Sequence, residues 1–164
     1  MKITEKFLDV MMSWLARNGI DDLNLKIDNE FCYNLIDNEI TIGVMSFPEV
    51  DQWTQEYWNE LGMVWININP MVLKFLHEVG HYYTIQNFSD YELIIYNLSK
   101  PIVDLKAADA KSKMYEYWQM PDETVATRWA IDFLNNEKNE YQVQELNDIF
   151  EIFWEDVMEE VCAE

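Results

Sequence analysis

The stretch that decides the reading of this chain is Met63-Val64-Trp65-Ile66-Asn67-Ile68-Asn69-Pro70-Met71-Val72-Leu73-Lys74-Phe75-Leu76-His77-Glu78-Val79-Gly80-His81. Its first six residues have the look of a strand, Met63–Ile68. Asn69 is a residue type that caps a helix, and Pro70 suits the first helical position. A helix is therefore predicted over Pro70–Thr84. The chain has 2 histidines, and both fall in the pentapeptide that ends the stretch, His77-Glu78-Val79-Gly80-His81. This is the HExxH zinc motif.

On a helix, residues four apart share a face, one turn from each other. His77 and His81 can therefore reach one Zn²⁺, at the usual nitrogen–zinc distance of about 2.0–2.1 Å. Glu78 is turned off that face by one residue. It is poorly placed as a third ligand to the same ion, but it can take a proton from a water there, which is the general-base role in this motif.

Working outward, residues 3–17 predict an amphipathic helix with Ile3, Phe7, Leu8, Met11, Trp14 and Leu15 on its apolar face, stopped by Asn18-Gly19. Leu23–Ile27, Phe31–Ile36 and Glu39–Val44 read as strands, the last two joined through Asp37-Asn38 as a hairpin. Asp51–Leu61 has helical spacing. Beyond Thr84 the chain reads as helices over about 89–98, 101–118, 121–136 and 141–162. The expected fold is α+β: a small, mostly antiparallel sheet of three or four strands followed by a mainly helical C-terminal half. The whole, 1–164, is expected to be a single zincin-like domain, with the sheet in about 1–84 and helices in about 85–164. A strand launching the metal helix suits a zincin, because an adjacent strand can hold an extended peptide by strand addition.

Composition narrows the function. The 164 residues carry 31 Asp and Glu against 11 Lys and Arg, a formal net charge of −20. Nucleic-acid binding needs a cationic surface, so direct nucleic-acid binding is not expected. A basic protein or peptide fits the charge. Hydrophobic residues make up 49% of the chain, enough for a real core. No apolar run approaches the roughly 18 residues of a membrane span. The N-terminus reads as an amphipathic helix, not a signal peptide. Cys32 and Cys162 are far apart and have no metal-like spacing, so free thiols in a reducing cytoplasm are expected.

A catalytic zinc site keeps three protein ligands and one open position. With no third histidine, the third ligand must be Asp, Glu or Cys. Positions 84 and 87 are Thr84 and Asn87, so the extended HExxHxxGxxH pattern is absent. Glu92, Glu116 and Glu123 are the candidate glutamates. Glu92 leaves little chain for a second helix to fold back. Glu116 sits among Tyr115, Tyr117 and Trp118. Glu123 is the best of the three: it opens a predicted helix after Pro121-Asp122, with Ala126 and Ala130 following. Small residues there, and Gly80 on the metal helix, allow the close approach that a short ligand bridge requires.

His77-Glu78-Val79-Gly80-His81 followed by a helix with Glu123, Ala126, Trp129 and Ala130 resembles the ImmA/IrrE family of gluzincin metallopeptidases, over about residues 63–136. The resemblance implies zinc ligands His77, His81 and Glu123 and a catalytic base Glu78. It implies a cytoplasmic protein of the kind often encoded by phages or mobile elements, several of which cleave a partner repressor. Thr127 stands where the family has Asn or Asp, and the gap from His81 to Glu123 is longer than usual, implying an extra helix over the site. No histidine remains to stabilise an oxyanion; Tyr82, Tyr83, Tyr91, Tyr115, Tyr117 and Arg128 are the polar candidates. The expected activity is zinc-dependent hydrolysis of a peptide bond. The alternative is a non-catalytic acidic interaction protein that binds a basic partner and retains a zinc site.

Overall fold

The computed structural model describes residues 1–164. In chain order the elements are α1 (Ile3–Arg17), β1 (Asn24–Asp28), β2 (Cys32–Asn34), β3 (Glu39–Gly43), α2 (Pro48–Glu60), α3 (Pro70–Thr84), α4 (Asp90–Ser99), α5 (Ala110–Trp118), α6 (Pro121–Asn135) and α7 (Glu140–Ala163). The fold is α+β, with a three-stranded sheet in the N-terminal half and a mainly helical C-terminal half, as expected.

The sheet order is β1-β3-β2. β2 and β3 form the predicted antiparallel hairpin, with Tyr33 opposite Ile40. The turn between them closes on Asn38, in the left-handed region at φ 46°, a conformation that Asn tolerates better than most residues. The longer pairing, β1 with β3, is parallel. The sheet is therefore mixed, not mostly antiparallel. β3 lies in the middle and β2 forms an edge.

Met63–Ile68 is not a strand. It runs without a strand partner, and Asn67 has φ 58°. Met63 and Ile68 are buried while Val64 and Ile66 are exposed. In a strand Ile68 would share a face with Val64 and Ile66, so its burial breaks the alternation. Several polar groups of the segment are held by helix ends instead. Val64 N–H donates to Asn135 Oδ1 (3.0 Å), Asn59 Nδ2 donates to the Met63 carbonyl (2.9 Å) and the Trp65 indole donates to the Leu134 carbonyl (2.6 Å).

α3 runs through the middle of the core. Val72, Leu73, Phe75, Leu76 and Val79 are buried on several of its sides. Its start is set as read from the sequence: the Asn69 side chain accepts from Met71 N–H (2.9 Å) and Pro70 follows the cap. α7 buries Val143, Leu146, Ile149, Phe150 and Val157 and packs along α1, where Phe7 meets Phe150 and Trp154 with ring centroids 5.6 and 5.5 Å apart. Asp148, Glu151, Glu155, Asp156 and Glu159 on its other side are exposed.

The helix expected over 101–118 begins only at Ala110. Pro101 disfavours the helical region for the residue before it, and Lys100 is extended at φ −61°, ψ 131°. Residues 101–109 then run as an irregular segment, turned at Asp104, whose side chain accepts from Lys106 N–H (3.0 Å). No helix of the chain is long and apolar enough to cross a membrane. Cys32 and Cys162 are free and exposed.

Candidate metal centre

The site is made by two helices, α3 and α6, that touch through their backbones. A Cβ placed on Gly80 would lie 2.3 Å from the Ala126 carbonyl oxygen. Ala126 and Ala130 are fully buried along this contact. The small residues singled out in the sequence are therefore what lets the two helices meet. Glu123, in the first turn of α6, is thereby brought against the histidine face of α3.

One oxygen of Glu123, Oε2, lies 2.8 Å from His77 Nε2 and 3.4 Å from His81 Nε2. The two imidazoles stand nearly perpendicular, with centroids 4.7 Å apart and an interplanar angle of 87°. Ligand atoms of the three residues all lie within 4.8 Å of one another. Tetrahedral zinc with bonds of about 2.05 Å needs donor atoms roughly 3.3 Å apart. Two imidazole nitrogens and one carboxylate oxygen at this spacing fit a metal ion, and the His₂Glu donor set is one used by catalytic zinc.

Thr127, where the resembled family has Asn or Asp, is almost fully buried. Its hydroxyl lies 3.0 Å from His77 Nδ1. With a metal on Nε2, Nδ1 would carry the proton and donate it to this hydroxyl, which would fix the ring tautomer.

Glu78 is buried beside the histidines. Burial raises its carboxyl to about 7; the neighbouring His77 opposes the shift, the Glu123 carboxylate adds to it, and a hydrogen bond with the Tyr33 backbone in β2 opposes it. Glu123 is driven the other way. Burial acts against its charge, but hydrogen bonds from His77 and His81 outweigh it and hold the carboxyl well below the usual range.

The other candidate ligands lie elsewhere. Glu92 is occupied in a capping box, accepting from Ser89 N–H (2.7 Å) at the start of α4. Glu116 is half-exposed and pairs with Lys113 at 3.2 Å. Among the polar candidates for the oxyanion, Tyr82 donates to Asp22 Oδ1 (2.6 Å) and Tyr83 stacks on Trp129. Tyr91 and Arg128 are exposed, and Tyr115 packs on Tyr57 and Trp118. Tyr117 lies beside Lys100, whose ammonium stands 5.2 Å from its ring centroid. Burial first, then the Glu123 charge, raises its phenol to about 12, with Lys100 opposing.

Two members of the site were not anticipated. Lys100, at the end of α4, donates to Glu123 Oε1 (2.7 Å) and to Asp122 Oδ2 (2.8 Å). Burial works against its charge, but Glu123 and Asp122 hold the ammonium well above the usual lysine range. Asp122 is itself buried. No spacing rule marks Lys100, since it comes from an irregular junction before Pro101. Comparison with protein-family models, with curated proteins and with solved structures gives no match to this chain.

Proposed function

We propose that this chain is a zinc metallopeptidase of the gluzincin type, related to the ImmA/IrrE-like enzymes. The observation that carries the reading is the convergence of His77 Nε2, His81 Nε2 and Glu123 Oε2 beside the buried Glu78. When bound, zinc would activate a water and polarise the scissile carbonyl. His77, His81 and Glu123 hold the ion. Glu78 accepts the proton of the attacking water and later returns it to the leaving amine. Tyr117, kept as a phenol, is the hydrogen-bond donor assigned to the developing oxyanion.

The edge strand β2, whose Tyr33 backbone acts on Glu78, offers an extended peptide a place to add. A basic, unstructured segment of a partner protein suits the net charge of −20. The direct test is metal content followed by peptide cleavage. Wild type should hold one zinc per chain, His77→Ala and Glu123→Ala should lose it, and Glu78→Gln should keep it while losing hydrolysis. Wild type that takes up no zinc after reconstitution overturns the reading.

A second reading is favoured by the exposed acidic side of α7. There the chain binds a basic partner through that face and keeps zinc without turnover. A salt-sensitive complex whose partner stays intact would select it.

A further inference from the structure

The two oxygens of Glu123 have different neighbours. Oε2 faces the two histidine nitrogens, at 2.8 and 3.4 Å. Oε1 is held by the Lys100 ammonium at 2.7 Å. That ammonium is also 2.8 Å from Asp122 Oδ2 and stands 5.2 Å from the centroid of the Tyr117 ring. Only 14% of the Lys100 side chain is exposed. The second oxygen of Asp122 is buried and has no hydrogen-bond partner. Lys100 is therefore the one counter-charge that Asp122 touches, and Asp122 in turn anchors Lys100. The ammonium comes from neither metal helix but from the end of α4, where Pro101 stops the helix.

A carboxylate can bind a metal through one oxygen or through both. Binding through both raises the coordination number and suits larger hard cations such as Ca²⁺. Catalytic zinc takes one atom from each of three ligands and keeps a fourth position open. An ammonium that occupies one oxygen of the ligand decides between these modes. The charge alone would act differently, because a buried positive group near a cation site weakens binding whatever its hydrogen bonds.

We propose that Lys100 is a positioning residue of the metal centre: by holding Glu123 Oε1, anchored by Asp122, it presents Oε2 as the single oxygen offered to the ion and so favours four-coordinate zinc over larger cations. The inference rests on the metal-binding reading of His77, His81 and Glu123.

The test uses the full chain with Zn²⁺ and with Co²⁺, whose visible bands are intense when it is four-coordinate and weak at higher coordination. Wild type should bind one Co²⁺ with intense bands. Lys100→Met should bind zinc about 10–100-fold more weakly, the usual cost of losing an outer-shell contact, and its Co²⁺ bands should weaken. Lys100→Arg, which keeps the donors, should restore much of both. Unchanged bands in Lys100→Met, or zinc bound as tightly or more tightly, overturn the proposal and leave Lys100 as a charge only. A measurement on wild type alone stands if Lys100→Met does not fold. The Lys100 ammonium protons of the zinc-loaded protein should be protected from solvent and visible by NMR; rapid exchange would mean that the lysine leaves Glu123 when the ion binds, and would overturn the proposal. If wild type binds neither metal, the metal reading itself fails, and the role of Lys100 with it.

Discussion

Gly80 and Ala126 are in backbone contact: the position of a Cβ on Gly80 falls 2.3 Å from the Ala126 carbonyl oxygen. Their approach sets the distance between α3 and α6, and so the distance between the histidine pair and Glu123. Gly80→Ala should force the helices apart, because the obstacle is backbone and cannot swing aside. Overpacking of this kind costs about 1–3 kcal/mol. Chemical denaturation should show that loss, and zinc titration should show weaker binding in the same variant. Wild-type zinc affinity in a destabilised Gly80→Ala would mean that the contact serves packing alone.

Thr127→Val keeps the shape of the side chain and removes the hydroxyl 3.0 Å from His77 Nδ1. The fold should survive, with a loss of about 1 kcal/mol for one buried hydrogen bond. Zinc affinity should fall about 10–100-fold, since the ring loses the partner that fixes its tautomer. Competition with a chromophoric chelator measures this directly. Equal affinity would show that His77 is oriented by packing.

Zinc should stabilise the folded chain by mass action. A free concentration a thousand-fold above Kd adds about 4 kcal/mol. The Tm of wild type should therefore rise with zinc and fall with a chelator, while His81→Ala should respond to neither. A Tm indifferent to zinc in wild type would remove the metal centre from the account.

The two chain ends are linked by a carboxylate. Glu160 on α7 accepts from Thr4 N–H (2.7 Å) and Ile3 N–H (3.2 Å) at the open start of α1. The Thr4 backbone bond leads in lowering its pKa from the ordinary 4.5. A depressed folded pKa means that the unfolded chain takes up this proton first as pH falls. The stabilisation is complete above the ordinary value and lost as pH drops through the folded one. Glu160→Gln should thus be less stable than wild type at neutral pH, with the gap closing under acid. Urea midpoints across the acid range measure it, and a gap that stays constant with pH would refute the linkage.

Local signals carried much of this fold. Asn69 and Pro70 mark the start of α3 because capping and a preset φ depend on residues in direct sequence contact. The apolar stripe of α7 is legible because helical period is a property of neighbouring residues. Non-local pairing is where reading stops. Met63–Ile68 has the composition of a strand, yet what its backbone bonds to is decided by Asn59 and Asn135. The parallel pairing of β1 with β3 likewise leaves no local mark, because direction is set by how the chain returns.

By itself the sequence determined that two imidazoles share one helical turn, that a glutamate follows the first, and that a second helix with Glu123 and small residues can approach. These follow from the fixed geometry of the α-helix. The sequence already favoured Glu123 over Glu92 and Glu116, and the structure places it against the histidines; only the tertiary structure decided that Thr127 holds His77 and that Lys100 occupies the other oxygen of Glu123. Those relations join residues 23–50 positions apart. They exist because the Gly80–Ala126 contact brings two helices together and the Lys100 ammonium reaches Glu123 from the end of a third, and no local rule of spacing encodes such an encounter.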